Sequence, residues 1–157
     1  MKLPKKVLTW ISFILLALIG CMCFLSCMSE PPDNLGLKNG KLSNCPSRPN
    51  CVCTFQDKSD SSHYIAPMTY TSSQPEAMAK IKSALTEISR TKIVTETKNY
   101  LHVECTSLVF RFIDDLEIYL DDSTKLVHFR SASRVGHSDL GVNKKRVEAL
   151  KSKLSGI

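Results

Sequence analysis

The sequence predicts an α+β fold, an antiparallel sheet of about four to five strands with two helices packed on one face. Three observations carry this. Behind Ser73 the apolar residues Ala77, Met78, Ile81, Ala84, Leu85 and Ile88 recur at helical spacing. From Ile93 to Arg130 the period changes to two. After Asn143 a second helical stripe returns, with Val147, Leu150 and Leu154 on its inner side. A helix, a run of strands and a second helix segregate the two element types, as α+β domains do.

The elements follow in order. His63 to Tyr70 reads as an edge strand, because Pro67 has no N–H to give to a ladder. Ser73-Gln74-Pro75-Glu76 is a capping-box pattern, and the helix it opens spans about Gln74 to Arg90. Ile93-Val94-Thr95 is a short strand. Leu101, Val103 and Cys105 alternate with His102, Glu104 and Thr106; Leu116, Ile118 and Leu120 alternate with Glu117 and Tyr119; Leu126 to Arg130 forms another strand. Asn99 and Asp121-Asp122-Ser123 mark turns. The alternation predicts an antiparallel meander with one face packed and one face wet. The last helix runs from about Lys144 to Leu154, with Asn143 as N-cap and Val142 and Val147 at staple positions.

Ahead of this domain stands an export signal. Lys2, Lys5 and Lys6 precede a run with no charge until Glu30. Leu18-Ile19-Gly20-Cys21 matches a bacterial lipobox, in which the cysteine is acylated and becomes the mature N-terminus. Two alternatives stand beside it. Cleavage before Cys27 uses a poorer box, Phe24-Leu25-Ser26, but a better tether behind it. An uncleaved anchor is also open, since Val7 to Met28 is long enough to span a bilayer. All three hold the domain to a membrane in the cell envelope, on the periplasmic or extracytoplasmic side, with the lysines cytoplasmic. The organisation expected is a signal at 1–20, a tether at 21–42 rich in Pro, Asn and Gly toward its end, and one domain at 43–157.

Composition excludes some partners. The formal net charge is +6 over 157 residues, and the three initial lysines account for half of it. The remainder is too small to imply nucleic-acid binding, and the folds that bind nucleic acid leave no signature here. No phosphate loop, dinucleotide fingerprint or Gly-x-Ser-x-Gly elbow occurs, and neither a metal site nor a cofactor is expected. Of seven cysteines, Cys45, Cys51, Cys53 and Cys105 lie in the domain, an even number in an oxidising compartment. Cys45 and Cys51 bracket Pro46-Ser47-Arg48-Pro49-Asn50, and two prolines stiffen that loop toward the ~5.5 Å Cα separation of a disulfide. The preferred pairing is Cys45–Cys51 with Cys53–Cys105, one of the three that four cysteines permit. A zinc site is the weaker alternative, because Cys45-x5-Cys51-x-Cys53 departs from the common spacing.

The segment from Arg130 to Arg146 holds the candidate chemistry. It leaves a strand, contains Gly136 and Gly141, and enters a helix whose first turn is Lys144-Lys145-Arg146. Cations there oppose the helix dipole. Either acids elsewhere neutralise them, or the turn receives an anion on backbone N–H groups and arginine. The plainer reading pairs Arg130 and Arg134 with Asp114, Asp115 or Asp139. The binding reading assigns Arg130, Ser131, Ser133, Arg134, Asp139, Asn143 and Arg146 to an anion site. If Phe110 to Ile118 is one strand, Asp114 falls on the apolar face and needs a cationic partner. His137-Ser138-Asp139 contains triad residue types, but triads form in space and not in a row.

Leu35-Gly36-Leu37, Cys45-Pro46-Ser47-Arg48-Pro49-Asn50-Cys51-Val52, Phe112-Ile113-Asp114-Asp115 and Arg130 through Arg146 together resemble the domain-of-unknown-function family 1499. The resemblance spans about Leu35 to Leu154. It implies an exported or envelope-associated domain and supplies no reaction. His137 departs from the family pattern, which makes it a poor required base, and Cys53 and Cys105 are particular to this chain. Three functions follow in descending order. The first is a lipid-anchored module binding a small anion or an envelope protein. The second is a purely structural envelope domain. The third is a hydrolase using Asp114, Asp115 or Ser133.

Overall fold

The computed structural model describes residues 3–27 and 29–156, without the side chains of Leu25 and Cys27. Lys2 of the signal, Met28 and Ile157 therefore lie outside the described residues, as does the side chain of Cys27, the alternative lipidation site. In chain order the elements are α1 (Lys5–Cys27), β1 (Cys51–Cys53), β2 (Met68–Thr69), α2 (Gln74–Thr86), β3 (Thr91–Glu96), β4 (Tyr100–Thr106), β5 (Ile113–Asp121), β6 (Leu126–Ser133) and α3 (Val142–Lys153). The α+β class holds, with three helices and six strands where two helices and four to five strands are predicted.

The sheet is antiparallel, in the order β1-β6-β5-β4-β3. The outer edge of β6 is shared: β1 pairs with Arg130–Ala132, and β2 with Leu126 and Val127. Two short strands thus cap one edge, with Pro67 just ahead of β2 where no ladder bond is lost. The long edge strand predicted at His63–Tyr70 is only Met68–Thr69, because Tyr64 touches Cys53 through an isolated bridge and the chain then turns away.

On one face lie α2 and α3. The capping box forms, with Glu76 Oε2 accepting from the Ser73 N–H at 3.0 Å. The inner residues of α2 and α3, Ile81, Leu85, Val147 and Leu150, meet Leu101, Val103, Leu116, Ile118, Leu120, Val127 and Phe129 of the sheet. Each large side chain sealed here contributes about 1.5–3 kcal/mol. α2 stops at Thr86, short of Arg90, whose positive φ of 61° turns the chain into β3.

The other face is not wet. The segment from Gly36 to Cys45, joined by Phe55 beyond β1, covers it, burying Leu42, Cys53 and Tyr100 with Leu37, Phe55 and Tyr119 packed around them. Gly36 donates its N–H to Glu117 Oε1 at 2.8 Å, so the segment read as a tether through residue 42 is packed on the sheet from Gly36 onward. Strand alternation alone cannot distinguish a solvated polar face from a polar face under a covering segment.

Cys45 and Cys51 form a disulfide with Cα atoms 5.6 Å apart. The expected Cys53–Cys105 bond does not form, and both are buried free thiols. Cys53 stands opposite Arg130 on the covered face, whereas Cys105 stands opposite Asp114 on the helix face. Three strand spacings, roughly 14 Å, separate their strands, about twice what a disulfide spans.

Two further expectations change. Phe110 and Phe112 precede β5 in a loop closed by the Ser107 N–H bonding to Phe112 O at 2.8 Å, with Arg111 at φ 58°. α3 begins at Val142 after Gly141 in the left-handed region, at φ 76°, so Asn143 lies inside the helix instead of capping it. Its side chain, fully buried, points into the fold.

Candidate functional site

β4, β5 and β6 align acids and bases on the covered face. In register, Glu117 stands between His102 and Arg130, and Asp115 between Glu104 and Ala132. Arg130 Nη1 donates to Glu117 Oε2 at 2.9 Å, in side chains 2 % and 0 % exposed. The other oxygen of Glu117 accepts from the Tyr100 hydroxyl at 2.9 Å. Burial and the Glu117 charge push the Tyr100 hydroxyl far above its ordinary pKa. Arg134 donates to Asp115 twice and to Glu104 Oε1 at 2.6 Å, while His102 Nε2 lies 2.7 Å from Asp115 Oδ1. Burial alone would raise the Asp115 carboxyl, but the His102 and Arg134 bonds outweigh it and hold it below the usual range.

A second network sits on the helix face, where β6 meets α3. Asn143 gathers it. Its Oδ1 accepts from Ser131 Oγ and from Arg146 Nη1, each at 2.5 Å. Its Nδ2 donates to Asn50 O and to Ser133 Oγ, each at 3.0 Å. Arg146 Nη2 donates to Asp114 Oδ2 at 2.6 Å, which gives the carboxylate on the apolar face its partner. Asp139 accepts the N–H groups of Gly141 and Asn143 at 3.0 and 2.7 Å. The cationic first turn of α3 is thus balanced by Asp139 at the helix start and Asp114 from the sheet, with Lys144 and Lys145 left exposed.

The predicted residues therefore do not form one site. Arg130 and Arg134 belong to the covered layer; Ser131, Ser133, Asp139, Asn143 and Arg146 belong to the α3 network. Asp114 and Asp115, neighbours in sequence, point to opposite faces and join different networks. Of the three arginines, Arg146 lines a cleft, of about 390 Å³, between the α2–β3 turn, β4 and the start of α3. Asp114 and Cys105 lie along it, and Arg90, Lys145 and Ser107 surround them. Burial pushes the Cys105 thiol up to about 11. Among the described residues no group of three or more His, Cys, Asp and Glu is placed to hold a metal ion. Sequence reasoning missed Glu117, Glu104, Tyr100 and His102 as members of the network, and missed Arg90 as a cleft residue. The one signal was that acids and bases share a strand parity.

The fold and these networks define a class: an α+β domain whose sheet carries a helical core on one face and an ion-paired layer on the other, behind an apolar N-terminal helix. The chain belongs to the protein family of unknown function DUF1499, whose sequence pattern matches residues 41–154. No curated protein matches it. The helix at Lys5–Phe24, with mean hydropathy 2.5, is long and apolar enough to cross a membrane or serve as a signal.

Proposed function

We propose that this chain is a cell-envelope protein held to a membrane by its N-terminal segment, with an extracytoplasmic domain that binds a small anionic group in the cleft beside α3. The anchor is a lipid on Cys21, with Cys27 or the uncleaved helix as alternatives. The cleft is the observation that carries the binding reading. Arg90 and Lys145 flank an Asp114–Arg146 pair there, so three cations line the cleft against one carboxylate. The ligand class is phosphate or carboxylate. The site is displaced from the Ser/Arg segment to Arg146, Lys145 and Arg90, because Arg130 and Arg134 already hold carboxylates inside the fold.

Titration of the detergent-solubilised full chain with inorganic phosphate and with acetate, followed by amide chemical shifts, tests this. Shifts should centre on Arg90, Lys145 and Arg146, and Lys145→Ala should weaken binding about tenfold. Shifts elsewhere, or an unchanged affinity in Lys145→Ala, would overturn it.

The sealed pairs favour a second reading for the remainder of the motif. Arg130, Arg134 and Asn143 act as scaffold, holding β6, β5 and α3 in register. A hydrolytic role has less support. Asp115 is 1 % exposed and held by Arg134, and Ser133 Oγ accepts from Asn143.

A further inference from the structure

We propose that the loop between β4 and β5, with Leu140 and Val142 beside it, is a docking surface that inserts into the outer leaflet of the bilayer holding the N-terminal helix. This rests on the membrane-held reading above. Leu108 and Val109 are 70 % and 55 % exposed, and Phe110 is exposed too, an apolar tip on a hairpin whose other large apolar side chains, Leu101, Val103, Leu116, Ile118 and Leu120, are buried. The tip is not adrift in the fold. Cys23 Sγ donates to Val109 O at 3.5 Å, and Ser26 Oγ donates to Arg111 O. Arg134 Nη1 reaches Ser29 O at 3.3 Å just beyond.

These contacts set a depth. The apolar span Lys5–Phe24 is 20 residues long. At 1.5 Å per residue that is about 30 Å, the thickness of the hydrocarbon layer. Val109 therefore lies beside the last residues of the span, where hydrocarbon gives way to headgroups. Val142 stands at the same end, lining one cleft with Thr106 and Ser107 at the base of the hairpin loop, and Leu140, 87 % exposed, lies two residues before it.

The surrounding charge fits an anionic leaflet. Arg90, Arg111, Lys144 and Lys145 are exposed at this end. Asp139 has both oxygens engaged by backbone N–H groups, and the exposed Glu30 follows the span. If the signal is cleaved at Cys21, the acyl chains enter the bilayer only five residues before Ser26, and the same tip meets the same surface.

The test uses the full unprocessed chain in vesicles of seven parts phosphatidylcholine to three parts phosphatidylglycerol, with bromine on the acyl chains as a depth-dependent quencher. Trp10 is the sole native tryptophan, and its quenching reports the span itself. In a Trp10→Phe background, Phe110→Trp and separately Leu108→Trp should emit blue-shifted light and lose at least half of it to shallow bromines. Quenching should fall when Arg111 and Lys144 are changed to glutamate. If Trp10 is quenched while both loop tryptophans emit as in water, docking is overturned and the anchor stands. If Trp10 itself is unquenched, the anchor reading fails and docking fails with it.

Discussion

Arg134 grips Asp115 through two parallel bonds, Nε to Oδ2 at 2.9 Å and Nη2 to Oδ1 at 2.7 Å, with both side chains sealed at 4 % and 1 % exposure. The fork-on-fork geometry fixes the end of β6 against β5 just before the chain leaves the sheet. Arg134→Ala leaves the Asp115 charge buried with His102 as its remaining partner, at a cost of about 3–5 kcal/mol. For a domain of this size that lowers Tm by on the order of 10–20 °C. Arg134→Lys restores the charge without the fork and should recover only part of the loss. Thermal unfolding by circular dichroism checks both, and an unshifted Arg134→Ala would refute the pairing.

The same pair sets the acid limb. An unfolded aspartate titrates near 3.9, and Asp115 in the fold lies below that, since its bonds to His102 and Arg134 outweigh burial. Its contribution to stability is complete above the unfolded value and is lost as pH falls through the folded one. Urea unfolding between pH 5 and 2 should show stability dropping below about pH 4. Asp115→Asn should lower stability at pH 6 and flatten that slope.

His128 governs a milder window. Its ring stacks on Phe55 with centroids 4.2 Å apart, and its Nδ1 lies 3.1 Å from Thr54 Oγ1. Burial lowers its pKa below the ordinary value near 6.5. The unfolded chain therefore binds the extra proton first, so stability falls as pH drops below about 6.5 toward the folded value. His128→Gln should remove this dependence between pH 7 and 5. A wild-type curve with no slope there, or a variant with the same slope, would count against a neutral buried imidazole.

One disulfide, not two, is expected in the domain. An intact mass under native and reducing conditions should differ by the two hydrogens of Cys45–Cys51. Cys53 and Cys105, buried and with raised thiol pKa values, should resist alkylation at pH 7.5 until the fold is opened. Serine at Cys45 and Cys51 together should cost about 2 kcal/mol, the loop-closure value for so short a ring. A four-hydrogen difference traced to Cys53 and Cys105 would contradict their placement on opposite faces.

The sequence by itself determined what depends on neighbours along the chain. The Ser73 capping box, the helical stripe from Ala77 to Leu85, the parity of Leu101, Val103, Leu116 and Ile118, the Cys45–Cys51 loop and the apolar N-terminal run all rest on local spacing. The tertiary structure decided what depends on strand pairing and on what covers the sheet. Asp114 and Asp115 part company because adjacent strand residues face opposite ways, and only the register shows that one meets Arg146 and the other Arg134. Glu117 looks solvated by alternation and is wholly buried, because the segment that begins at Gly36 folds back over it. Cys53 and Cys105 look like a pair by count and are held apart by two intervening strands. A period-two pattern states which face a side chain takes; it carries no information about whether water or another segment of the chain lies over that face.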